Sequence, residues 1–94
     1  MILTRAAAAL AESEVRRGLV PKREADLAEI EADLRRLHSH LAAMRKDSDA
    51  AEEMETRMLQ GEDRIKSIRK RIADLGTEAD QYAEKARVEL SRLR

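Results

Sequence analysis

Apolar residues recur along much of this chain at the spacing of a helix that hides one narrow stripe. Leu27, Ile30, Leu34, Leu37, Leu41 and Met44 are separated by 3, 4, 3, 4 and 3 residues, the two-row heptad pattern of a coiled coil. The pattern then lapses, because Arg45-Lys46-Asp47-Ser48-Asp49 puts polar groups where the next core residue is due. Beyond it Met54, Met58, Ile65, Ile68, Ile72, Leu75, Ala79, Tyr82, Ala86 and Leu93 resume the seam. Positions 30, 37, 44, 51, 58, 65, 72, 79, 86 and 93 are all apolar, whereas the second row shifts by one position between Ser48 and Met54. Such a shift marks either a stutter in one helix or a reversal into a hairpin.

Before Leu27 the pattern is thinner. Leu3, Ala6, Ala7, Leu10 and Val15 fall loosely on one face, and the alanines give that face high helix propensity. Arg17-Gly18-Leu19-Val20-Pro21-Lys22 then holds the only proline of the chain. Glycine suits a left-handed C-cap and proline the first position of a new helix, so a short helix over about 2–17 is expected, a break at 18–21, and a long helical region over 22–94. Ser48 and Asp49 suit an N-cap, and Asp49 with Glu52 resembles a capping box. Gly61 and Gly76 are further candidate breaks, the second followed by Thr77 and Asp80 in cap spacing. A continuous helix over 22–94 would run about 110 Å and need a partner along its length. A reversal near 45–50 or 60–63 lets the chain pack on itself instead. The expected fold is therefore all-α, one coiled-coil domain over 1–94, built as an elongated antiparallel helical hairpin with a short N-terminal helix.

Composition sharpens this picture. Charged residues make up 40% of the chain and aromatic ones 1%, too little bulk for a compact globular core and enough polarity for solvated helices. Nineteen basic residues balance nineteen acidic ones, interspersed along the chain, so nothing suggests a phosphate-backbone partner. Acids stand four residues before bases at Glu12/Arg16, Glu31/Arg35, Glu53/Arg57 and Glu62/Lys66, a helix-supporting arrangement. No cysteine is present, which removes disulfides and thiolate metal sites without fixing the compartment. Arg5, Glu12 and Glu14 interrupt any signal-like apolar run, and no stretch approaches the roughly 20 apolar residues of a membrane span.

Candidate chemistry is sparse. His38 and His40 are two apart, so on a helix they diverge by about 200° and cannot share one metal. Met54 and Met58 share a face and offer soft thioethers, yet their heptad positions suit core packing. Glu52, Glu53, Glu55, Glu62 and Asp63 supply carboxylates with no cleft to perturb them. Tyr82 falls in the seam. No phosphate loop, nucleotide fingerprint or catalytic triad pattern occurs, so neither enzyme activity nor a cofactor is expected.

Two stretches carry a family resemblance. Arg17-Gly18-Leu19-Val20-Pro21-Lys22, followed by Asp26-Leu27-Ala28-Glu29-Ile30-Glu31-Ala32-Asp33-Leu34, resembles the "GLV-[PS]-K/R … LE-x-x-L" segment of periplasmic adaptor proteins, the membrane fusion proteins of the haemolysin-D type. Gln81-Tyr82-Ala83-Glu84-Lys85-Ala86-Arg87-Val88-Glu89-Leu90 is similar to their "F-x-x-E-A-x-x-E-L" run. The resemblance implies the helical hairpin of a larger adaptor, anchored elsewhere in the inner membrane and acting in the periplasm. It further implies a link between an ABC transporter and a TolC-like outer-membrane channel in type I protein secretion, in a homo-oligomer of six subunits. The lipoyl, β-barrel and "RAP" segments of the family are not in this sequence. Nor is the Arg-x3-Leu-x6-Ser docking motif of related drug-efflux adaptors, since Leu10, Glu14 and Pro21 occupy its places.

On this reading Arg16, Arg17, Gly18, Leu19, Val20, Pro21 and Lys22 form a partner-binding turn, with Leu19 and Val20 inserting into the channel. The competing expectation is a hydrophobic staple, Leu19 packing near Ala25 on the next helix. The expected core is Leu27, Ile30, Leu34, Leu37, Leu41, Met44, Met58, Ile65, Ile68, Ile72, Leu75 and Tyr82. The rival function is a self-associating coiled coil that sets oligomeric state or spacing.

Overall fold

The computed structural model describes residues 1–44 and 48–93; Arg45, Lys46, Asp47 and Arg94 lie outside the described residues, as does that part of the polar interruption. Two helices make up the fold, α1 (Ile2–Ala42) and α2 (Asp49–Ser91), and no strand occurs among the described residues. The architecture is an all-α helical hairpin. The chain changes direction between Ala42 and Asp49, while 60–63 is helical.

Local chemistry explains the helix ends. Ser48 Oγ accepts the N–H of Ala51 at 3.1 Å and Ser48 O accepts the N–H of Glu52 at 3.2 Å, so Ser48 is the N-cap. Asp49 and Glu52 lie inside the first turn, where their charge complements the helix dipole, rather than forming the expected box. At the end of α1 the N–H groups of Ala43 and Met44 bond back three residues, to His40 and Leu41, tightening the last turn.

The expected short N-terminal helix and the break at 18–21 are not found. α1 runs unbroken through Gly18 and Pro21, and no glycine among the described residues has positive φ, so Gly18 is not a C-cap. The physical reason is the seam. Counting back by sevens from Leu27 and Ile30 reaches Val20, Ser13 and Ala6 in one row and Arg23, Arg16, Ala9 and Ile2 in the other. Ala6, Ala9 and Ser13 are buried, and Ile2, Arg16 and Val20 are half-buried. Packing along this line overrides the local preferences of glycine and proline, and Pro21 itself lies on the exposed side. The face expected from apolar residues is corrected with it: Leu3, Leu10 and Val15 are 56%, 44% and 60% exposed.

The chain divides into two compact units, each an antiparallel helix pair. The first joins Met1–Arg23 to Arg71–Arg94. Its core is Ala6, Ala9 and Ala86, with Tyr82 packed against them, and Ser13 Oγ donates to Ala79 O at 2.8 Å across the pair. Such small residues allow close backbone approach. Outside the core, Arg87 donates to Glu84 at 2.5 and 2.9 Å, which holds the Glu84 carboxyl below the usual carboxylate range.

The second unit is Glu24–Lys70, which contains the change of direction. Arg69 reaches Glu31 at 3.5 Å across it, so Glu31 uses a cross-helix partner instead of Arg35. In α2 both rows keep heptad spacing throughout: Ala51, Met58, Ile65, Ile72, Ala79 and Ala86 in one, Met54, Gly61, Ile68, Leu75, Tyr82 and Glu89 in the other, each buried or half-buried. The phase shift seen in the sequence is the start of a new helix.

Of the expected core, Ile30, Met58, Ile65 and Leu75 are buried. Leu27, Leu34, Leu37, Leu41, Met44, Ile68, Ile72 and Tyr82 are half-buried, since two helices cover only part of each seam residue. Leu93 follows the last turn of α2 and is exposed.

Candidate functional site

The segment singled out by sequence, Arg16 to Lys22, is mid-helix in α1. Its seam position turns Arg16 inward. The Arg16 guanidinium lies 4.3 Å from the Tyr82 ring centroid, donates to Glu12 Oε2 at 2.5 Å and to Glu78 Oε1 at 3.3 Å, and its pKa is raised, first by the Glu12 hydrogen bond and also by Glu78. A cation over an aromatic face flanked by two carboxylates is a structural clasp. Arg17 reaches Asp80 at 3.7 Å. Both arginines are thus engaged by acids of the same chain.

Gly18, Pro21 and Lys22 are exposed, and Leu19 and Val20 are half-buried. A hydrophobic staple needs a helix start after Leu19, and none exists, so the staple to Ala25 is excluded along with the tight turn. What remains of the partner-binding expectation is a helical face with no sharp tip.

A half-open groove of about 520 Å³ runs along the second unit. Ile30, Leu34, Leu37, Met54 and Gly61 form its floor, and Asp33, Arg36, His40, Arg57 and Arg64 stand at its sides. Asp33 pairs with Arg36, one turn along α1. Gly61 is there for a steric reason that heptad counting alone does not reveal. A Cβ at 61 would sit 2.7 Å from Leu34 Cδ2 and 3.3 Å from its Cγ, so the missing side chain is the seat of Leu34.

His38 and His40 are both exposed; only His40 lines the groove. Met58 is core and Met54 is half-buried in the groove floor. No group of three His, Cys, Asp or Glu among the described residues has metal-binding geometry, and Glu52, Glu53, Glu55, Glu62 and Asp63 are exposed. No helix among the described residues is long and apolar enough to cross a membrane.

Three structural residues escaped an apolar pattern search: Ser13, Gly61 and Glu89. Glu89 is 8% exposed; one carboxylate oxygen meets Arg92 at 3.4 Å and the other is buried with no partner among the described residues. All three fall on heptad rows extended by sevens from their apolar members, which is the signal that finds them. The chain matches no family model, and no curated protein and no solved structure matches it.

Proposed function

We propose that this chain is a non-enzymatic helical hairpin of a periplasmic adaptor subunit that links an inner-membrane ABC transporter to a TolC-like outer-membrane channel in type I protein secretion. The observation that supports it is the pairing of two helices of nearly equal length, 41 and 43 residues, whose heptad rows continue through Gly18 and Pro21 without a break. In this role the 18–21 segment is a stretch of continuous helix and not a docking tip. The full-length protein is held in the inner membrane and assembles as a homo-oligomer.

The test shortens the two helices in phase. Deleting residues 24–30 and 68–74 removes one heptad from each helix, preserves both rows, and shortens each helix by about 10 Å. In the full-length protein, secretion should fail while helix content and cooperative melting persist. Secretion at the wild-type level with the shortened hairpin, or in cells lacking the protein, overturns the assignment. A second reading, a coiled-coil module that sets oligomeric state, is favoured by the incomplete cover of Leu27, Leu34, Leu37 and Leu41.

A further inference from the structure

The groove of the second unit is set apart by its charge. It lies wholly within Glu24–Lys70. Along its floor Leu34, Leu37 and Met54 are only half-buried, so the two helices leave an apolar stripe that lacks a third wall. Among the described residues that line it, Asp33 is the one acid, while Arg36, Arg57 and Arg64 are basic. Asp33 is engaged by Arg36 on its own helix. Arg57 and Arg64 are exposed and belong to no ion pair among the described residues. In a chain whose nineteen basic and nineteen acidic residues cancel, the groove keeps two positive charges that no acid of the chain answers.

The sequence explains why they stay unanswered. Arg16 and Arg87 each find an acid one turn away, in Glu12 and Glu84. Arg64 has Gln60, Gly61, Ser67 and Ile68 at the corresponding positions. Arg57 has Gln60 on one side, and Glu53 on the other does not join it. Being seven apart, Arg57 and Arg64 stand on one edge of α2, two turns or about 10 Å from each other.

An apolar stripe that two helices leave partly open is the seat of the third helix in a three-stranded bundle, and charges on its flanks select the partner. Two cations seven apart match two carboxylates seven apart on such a helix. Nucleic acid and anionic membrane surfaces select a broad cluster of cations, not a pair beside an apolar floor. A second copy laid on this groove by a two-fold axis sets one positive surplus against another.

We propose that the groove is a docking site for an acidic amphipathic helix of another protein, its apolar stripe lying on Leu34, Leu37 and Met54 and its carboxylates meeting Arg57 and Arg64. The site does not rest on the secretion reading, and the purified chain tests it by itself.

The probes are two end-blocked, fluorescently labelled peptides of about 18 residues, roughly 27 Å as helix. They share one leucine stripe at 3/4 spacing and carry either glutamate or lysine on its flanks. In anisotropy titrations the wild type should bind the glutamate peptide about tenfold or more tighter than the lysine peptide, with the difference shrinking as salt is raised. Arg57→Glu/Arg64→Glu should reverse the preference and Arg57→Gln/Arg64→Gln should erase it, with helix content unchanged because both side chains are exposed. Lys66→Glu/Lys70→Glu, an equal change of net charge away from the groove, should keep the wild-type preference. Equal binding of the two peptides, no binding of the glutamate peptide at sub-millimolar concentration, or a preference that survives both Arg57/Arg64 variants overturns the proposal. So does a wild type that sediments as a dimer and admits no peptide, since a second copy then fills the groove.

Discussion

At the scale of single residues, three glycines in two helices have different reasons to be there. A Cβ on Gly18 or Gly76 meets nothing within 4 Å, whereas one on Gly61 strikes Leu34. Glycine inside a helix costs about 0.5–1 kcal/mol relative to alanine. Gly18→Ala and Gly76→Ala should therefore each stabilise by about that amount in chemical denaturation, and Gly61→Ala should not, because Leu34 must swing out of its seat. Adding Gly61→Ala to a Leu34→Ala background should recover the gain, a coupling that a double-mutant cycle reads directly. Equal stabilisation at all three positions would show that the close approach of Leu34 carries no energy.

At the scale of the element, α1 shows how far pattern outweighs punctuation. Proline within a helix removes one backbone hydrogen bond and costs about 3 kcal/mol or more, yet α1 continues because Arg16, Val20, Leu27 and Ile30 keep the same seam on both sides of Pro21. Pro21→Ala should raise the melting temperature, with a gain of up to about 3 kcal/mol; an unchanged or lower value would mean that the helix is not continuous there.

The all-α class and the heptad rows of Leu27–Met44 and Met58–Tyr82 were legible from spacing alone, and so was the phase shift near Ser48, but spacing left a stutter in one helix and a reversal at 60–63 open beside the observed reversal between Ala42 and Asp49. The continuity of α1 was not legible, for a definite reason. Over residues 2–23 the rows mix Ile2, Ala6, Ala9 and Val20 with polar Ser13, Arg16 and Arg23, so their apolar signature is thin and interrupted, while the visible leucines Leu3 and Leu10 lie beside them. The expected binding turn failed with it, because Gly18 and Pro21 were read by local preference and not by register. Among the chemically suggestive residues, His38 and His40 stayed on the surface because their two-residue spacing sends them to different sides of one helix.

At the scale of the whole molecule, stability rests unevenly on the seam. Among the described residues Leu75, 1% exposed, is the largest fully buried apolar side chain, while Leu34 is only half-covered. Leu75→Ala should cost about 2–5 kcal/mol, as a truncation in a closed core does, and Leu34→Ala about 1–2 kcal/mol, in proportion to the smaller area removed from water. Thermal and chemical denaturation of the two variants decide it; a Leu34 variant as damaged as the Leu75 variant would mean that the groove is covered in solution.

The notch at Gly61 also limits what kind of motion the hairpin can transmit. Were α2 to shear past α1 by one heptad, Leu34 would face Met54 or Ile68 in place of Gly61, and either side chain would occupy the space its tip now fills. The second unit thus has a single working register, held like a pawl in a ratchet tooth. Axial slippage between the helices is blocked, and a displacement at one end of this unit reaches the other only by bending or by carrying both helices together.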